Sequence, residues 1–257
     1  MQPQTATGEV TSSSEASTLY QRQMNELVFD GFENRWLMEA GERCALLGLT
    51  AIVKPKSVVE IGTFRGGSLS VFSRYAEKVY CLDIDPEVRV QLEPKYPDAE
   101  FLIGDSKETI PSLLAQFDQD HTSPDIVLVD GDHTRAGVLR DIQPFLRVTP
   151  VKPMYLLMHD SFNPECRKGM QKVAWNDSPY FHSLDLDFVP GILHSKGRWK
   201  GGMWGGLGLS IFLPSRRPTG QLGTITESQQ PMFDACYRRS VHSFRSRLLH
   251  VVTRNSH

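Results

Sequence analysis

Between residues 57 and 160 the chain alternates short apolar runs with longer amphipathic stretches. The runs at 57–61, 78–82, 100–103, 125–129 and 154–158 are rich in Val, Ile and Leu and read as buried strands. The stretches 68–76, 87–96, 107–118 and 134–146 carry apolar residues at helical spacing. A strand–helix alternation of this kind predicts a parallel sheet covered by helices on both faces, an α/β doubly wound domain. Ahead of it, Trp36, Leu37, Ala40, Cys44, Leu47 and Ile52 recur at three- to four-residue spacing and predict a helix over 26–53, stopped by Pro55. After residue 160 the pattern loosens. Residues 181–189 and 207–213 read as an antiparallel C-terminal edge pair of strands, separated by a long Gly-, Trp- and Lys-rich loop over 191–206.

The ends are polar. Residues 1–18 have the Ser, Thr and Gln content of a disordered tail and lack the basic and apolar regions of a secretory signal. From Cys236 onward, Arg238, Arg239, Arg245, Arg247 and Arg254 interleave with Val241, Phe244, Leu248 and Val251, which predicts a basic amphipathic helix with a solvated face. The organisation expected is a tail over 1–18 and one domain over 19–257. Within it, 57–160 forms the ligand-binding core, 161–235 the loops and edge strands, and 236–257 the basic tail.

Composition narrows the function classes. A net charge of −2 supplies no global drive toward nucleic acid or anionic membrane. No apolar run has the length of a membrane span. Cys44, Cys81, Cys166 and Cys236 are widely spaced and form no C-x-x-C pair, which fits buried free thiols in a cytoplasmic protein. The two terminal helices are compatible with a homo-oligomer.

Chemistry concentrates where the strands end. Polar groups stand there in turn: Glu60, Asp83, Asp105, Asp130 and the pair His159–Asp160. In open parallel sheets, ligands sit beyond these carboxyl ends. The first turn runs Glu60-x-Gly62-x-x-x-Gly66-Gly67-Ser68, with Phe64 inside it. An acid on the strand disfavours a pyrophosphate and suits a ligand with a positive amino-acid moiety. Asp83 is placed for a ribose diol, and Asp105 for an exocyclic adenine amine, because carboxylates accept hydrogen bonds. Together these positions describe an aminoacyl-adenosine. At the other end of the sheet, Asp130 and the His159–Asp160 pair end neighbouring strands ~4.8 Å apart. Two carboxylates and an imidazole suit a divalent cation such as Mg²⁺ or Mn²⁺.

Over roughly residues 57–160 the chain resembles the class I S-adenosylmethionine-dependent methyltransferases, through Val59 to Ser68, Cys81 to Pro86 and Gly104-Asp105-Ser106. The resemblance implies a Rossmann-like fold and S-adenosyl-L-methionine held by Glu60, Gly62, Phe64, Ser68, Asp83, Asp105 and Asp130. The second half resembles the metal-dependent small-molecule O-methyltransferases, catechol-type and sugar-modifying. This resemblance implies that Asp130, His159 and Asp160 hold the metal; histidine at 159 departs from the acid or amide of those families. Asp130-Gly131-Asp132-His133 is most similar to the macrolide-sugar enzymes, which implies His133 as general base. Asp132 and His133 also suit a cap for the helix that follows. The expected activity is methyl transfer to a hydroxyl of a small molecule, a sugar or natural-product intermediate. The alternatives are a metal-free methyltransferase with another acceptor atom, or a non-catalytic S-adenosylmethionine-binding protein. The run Gly201 to Gly206 reads either as the hinge of a lid or as a flexible surface turn, and Asp185 and Asp187 as the exposed face of a strand.

Overall fold

The computed structural model describes residues 36–243. The helical residues expected over 26–35, the tail over 1–18 and the basic positions from Arg245 onward lie outside it.

The alternating pattern forms the expected layers. In chain order the core consists of α1 (Ala40–Val53), β1 (Ser57–Ile61), α2 (Gly67–Tyr75), β2 (Lys78–Asp83), α3 (Pro86–Leu92), β3 (Glu100–Ile103), α4 (Ser106–Gln119), β4 (Ile126–Val129), α5 (Arg135–Ile142), a 3₁₀ turn Gln143–Arg147, and β5 (Met154–His159). Beyond it come α6 (Pro164–Lys172), β6 (Phe181–Val189), β7 (Ile192–Leu193), β8 (Met203–Trp204), β9 (Leu207–Phe212), β10 (Thr224–Thr226) and α7 (Gln230–Arg239). Eight strands form one sheet in the order β10-β6-β9-β5-β4-β1-β2-β3, while β7 and β8 form a separate hairpin. β1 to β5 are parallel; β9 lies antiparallel between β5 and β6, so the expected antiparallel pair is present. The outermost strand on that side is β10, which pairs parallel with β6.

The two-residue period of the strands sorts their side chains onto two faces. Val59, Ile61, Val127, Val129, Leu156 and Met158 pack under α4, α5 and α6. Val58, Cys81, Phe101, Leu128 and Leu157 pack under α1, α2 and α3. Glu60, Asp83, Asp130 and His159 share the parity of this second set. One geometric rule therefore directs four polar side chains at the strand ends toward α1 and α2.

Strand order reverses between β1 and β4, and there the two backbones converge. Gly62 has φ +88°, and a Cβ on it would stand 2.3 Å from the Asp130 carbonyl oxygen. Its missing side chain serves this strand-to-strand contact directly, and only through it the opening of the cleft.

Three expectations are corrected. α1 begins at Ala40, and Leu37 and Ile52 are about four-fifths exposed, whereas its buried positions are Glu42, Leu46 and Thr50. The apolar spacing matched a helix, but the face that meets the sheet is partly polar. Asp187 is buried, not exposed, because Arg167 on α6 reaches it with two hydrogen bonds of 2.8 and 3.1 Å. The terminal helix spans Gln230–Arg239 and stops at Ser240, so Val241 is not on it. Cys81 and Cys166 are buried free thiols, whereas Cys44 and Cys236 are half-buried. Among the described residues no helix is long and apolar enough to cross a membrane.

Gly62→Ala combines a left-handed φ with a backbone clash. It should cost about 2–4 kcal/mol, measured as a loss of unfolding free energy in urea; a neutral effect would contradict this packing.

Candidate active site

A cleft of about 830 Å³ opens at the strand-order reversal. Gly62, Phe64, Ser68, Asp83, Asp105, Asp130, His133, His159 and Asp160 all line it. Of the residues expected in the site, only Glu60 lies behind the wall. It is fully buried, and its carboxylate accepts a short hydrogen bond from the Ser68 hydroxyl. Burial pushes the Glu60 carboxyl up to about 8. At neutral pH it therefore holds the glycine turn from beneath, mostly as a neutral acid.

The turn is set by backbone geometry. Phe64 has φ +50°, and its N–H donates to Asp83 Oδ2 at 2.9 Å. Asp83 Oδ1 accepts from the Asp85 N–H at 3.0 Å, so both oxygens are oriented and each keeps a lone pair. Gly66 enters α2 with φ +77° and offers no side-chain cap, leaving the first-turn amides of α2 for an anionic group. Gly67 approaches Trp36, where a Cβ would meet the Trp36 Cβ at 2.1 Å. Asp105 caps α4 by accepting from the Lys107 N–H. That hydrogen bond, with the Lys107 ammonium at 3.1 Å, holds its carboxyl below the usual range.

The other half of the cleft is a linked group of acids and imidazoles. His159 Nδ1 lies 2.9 Å from Asp130 Oδ1, and Nε2 lies 3.3 Å from Glu42 Oε2. His133 Nε2 lies 3.0 Å from Asp160 Oδ2 and 3.7 Å from Asp130 Oδ1. Asp160 sits in the left-handed region at φ +57°, with Oδ1 accepting from the Gly205 N–H at 2.5 Å. Burial raises Asp130, but His159 and His133 outweigh it and hold the carboxyl down at about 2. His133 is pushed up to about 10 by hydrogen bonds to Asp130 and Asp160. It therefore carries a proton at neutral pH, unlike a free imidazole, whose pKa of ~6.5 would leave it largely neutral. Burial opposes charge on His159, yet Asp130, Glu42 and Asp160 raise it well above the usual range.

The helix after His133 is capped by Thr134, whose hydroxyl accepts from the Gly137 N–H at 3.0 Å. Asp132 instead accepts from the Thr134 N–H at 2.8 Å and stands 3.6 Å from Arg140. His133 takes no part in the cap.

Gly205 and Gly206 are anchored rather than hinged. Their N–H groups donate to Asp160 and Glu42, and their carbonyls accept from the Phe162 and Ser161 amides. Trp204 meets His133 edge-on at 5.9 Å and Trp199 at 5.1 Å, forming an aromatic wall over the cluster. His194 also lines the cleft.

Glu42 is the site residue that the sequence pattern did not single out. A signal was present: Glu39 and Glu42 are three apart at a helix start, and the Glu39 N–H donates to Glu42 Oε2 at 2.6 Å. That spacing marks a start at residue 40, which turns Glu42 inward.

Residues 59–161 match the family model described as a methyltransferase domain. No curated protein matches the chain by sequence. Among solved structures, a cofactor-bound protein from MTB is 18% identical, with a TM-score of 0.51, over 82% of this chain and 94% of that one. The O-methyltransferase TomG from Streptomyces achromogenes, involved in tomaymycin synthesis and solved in complex with SAM, is 15% identical, with a TM-score of 0.50, over 80% of this chain and 92% of that one. At these identities the likeness is one of fold.

Because Glu60 is neutral when folded and ionised above its ordinary pKa when unfolded, it contributes stability in acid that is lost as pH rises from about 4.5 toward about 8. Glu60→Gln should flatten the fall in unfolding free energy across that window, measured by urea denaturation at stepped pH. A variant with the same pH slope as wild type would show that the carboxyl is ionised in the folded protein.

Proposed function

We propose that the protein is an S-adenosylmethionine-dependent methyltransferase acting on a hydroxyl of a small molecule, a sugar or natural-product intermediate. One observation carries this reading: Asp83, Asp105, Asp130, His159 and Asp160 line a single cleft at the strand-order reversal, beside the uncapped N-terminus of α2. The cofactor fits the residues present. The first-turn amides of α2 suit its carboxylate, Asp83 its ribose diol and Asp105 its adenine amine. The volume lies within the range of small-molecule sites, and the methyltransferase-domain match covers the strands that carry these residues.

The reaction needs alignment and an oxyanion. The carbon–sulfur bond of the sulfonium breaks as the acceptor oxygen bonds the methyl carbon, and the hydroxyl proton leaves to a base. His133 Nε2 is the atom placed to receive that proton. In the free site it already holds one, through Asp160 and Asp130. Neutralising those carboxylates lowers its pKa and frees the nitrogen.

A divalent cation fits the same group. Among the described residues, one ligand atom from each of Asp130, His159 and Asp160 lies within 4.8 Å of the others. Bound there, a cation supplies charge that lowers the pKa of an acceptor hydroxyl. Glu42, on the far nitrogen of His159, has the position of the outer carboxylate that orients a ligating imidazole.

Calorimetric titration with S-adenosylmethionine and S-adenosylhomocysteine tests the cofactor reading. Wild type should bind both, and Asp83→Ala should weaken binding by about tenfold or more, the loss of hydrogen bonds to a charged acceptor. Absence of binding by wild type overturns the proposal. Asp160→Ala should lower S-adenosylhomocysteine release with a panel of hydroxylated acceptors by about a hundredfold. Full turnover by that variant, or in the presence of a chelator, would remove the metal from the scheme.

A further inference from the structure

Glu42 is 1% exposed, sits in the first turn of α1, and reaches across to the end of β5. Its carboxylate meets three groups. Oε1 accepts a short hydrogen bond from the Gly206 N–H; Oε2 accepts from the Glu39 N–H at 2.6 Å and faces His159 Nε2 at 3.3 Å. Two of these partners are backbone amides, which can only donate. Both carboxylate oxygens are thereby committed as acceptors, and the hydrogen between Oε2 and His159 lies on Nε2. On the opposite side of the ring, His159 Nδ1 stands 2.9 Å from Asp130 Oδ1.

We propose that Glu42 is a positioning residue that anchors the Nε2–H and the ring plane of His159 and couples both to the Gly205–Gly206 strap. The inference rests on the methyl-transfer reading for its catalytic consequence, but its structural content stands without it. His159 has carboxylates on both nitrogens, Glu42 from 117 residues away in sequence and Asp130 from 29. Rotation of the ring would break both contacts. Gly205 belongs to the same device. It holds φ +72°, and a Cβ there would stand 2.5 Å from Glu42 Oε1, so the strap admits the carboxylate only because it carries no side chain. The strap in turn holds Asp160 through the Gly205 N–H. One acid from α1 thus orients His159 directly and Asp160 through the backbone beside it.

The test uses the full chain labelled with ¹⁵N-histidine, free of ligand, with His159→Asn identifying the ring signals. In wild type the His159 Nε2–H should give a resolved signal sheltered from solvent exchange. Glu42→Ala should lose that signal and shift the Nδ1 resonance. Glu42→Gln, which turns a donor toward Nε2, should lose it as well while unfolding closer to wild type. Leu46→Ala, on the same buried face of α1, is the control for loosened packing and should keep the signal. Turnover with S-adenosylmethionine and the best acceptor of the panel should fall about tenfold to a hundredfold in Glu42→Ala, with the KM for S-adenosylmethionine within about threefold of wild type. An unchanged His159 signal in Glu42→Ala, or an equal change in Leu46→Ala, overturns the proposal. Failure of wild type to bind S-adenosylhomocysteine defeats the methyl-transfer reading instead, and the ring signals still decide the role of Glu42.

Discussion

The contact between the backbones of Gly62 and Asp130 is the constraint on which the site depends. At the end of β1 the chain must turn toward α2, and at the end of β4 it must turn toward α5. The two turns meet where the strand order reverses, and a single methyl group would hold them apart. With that contact made, the glycine turn lies against the base of the acidic cluster, and the two halves of the cleft become one volume. Glu60 below the turn and Asp83 beside it then hold the loop from two directions.

The central sheet was readable because buried parallel strands are apolar on both faces and end abruptly in a polar residue. Each of the five runs became a strand within a residue or two of its expected bounds. The parity of the strands then placed Glu60, Asp83, Asp130 and His159 on one face without further information. Capping residues were also legible in kind, though Thr134 took the place suggested for Asp132.

Other features depended on partners distant in sequence. α1 was displaced because apolar spacing is a poor guide to a helix whose buried face carries Glu42 and Thr50. The environment that favours Glu42, His159 and the Gly206 amide, comes from residues more than a hundred positions away, while the Thr50 hydroxyl donates to the Leu46 carbonyl within the helix. Asp187 read as exposed because alternation with Leu186 and Phe188 has that meaning in an edge strand. Arg167, itself buried against Glu227 and Gln230, reverses it. The raised pKa of His133 has this origin in part: Asp130 is only three residues away, but Asp160 reaches it through the fold.

The aromatic wall has an optical consequence. The chain has four tryptophans. Trp36, Trp199 and Trp204 line the cleft, and only Trp175 lies in the core away from it. The intrinsic fluorescence of this protein is therefore weighted toward the cleft: any molecule that enters it alters the polarity and quenching around most of the emitting rings at once. The protein carries its own reporter of occupancy, one that needs neither a label nor turnover.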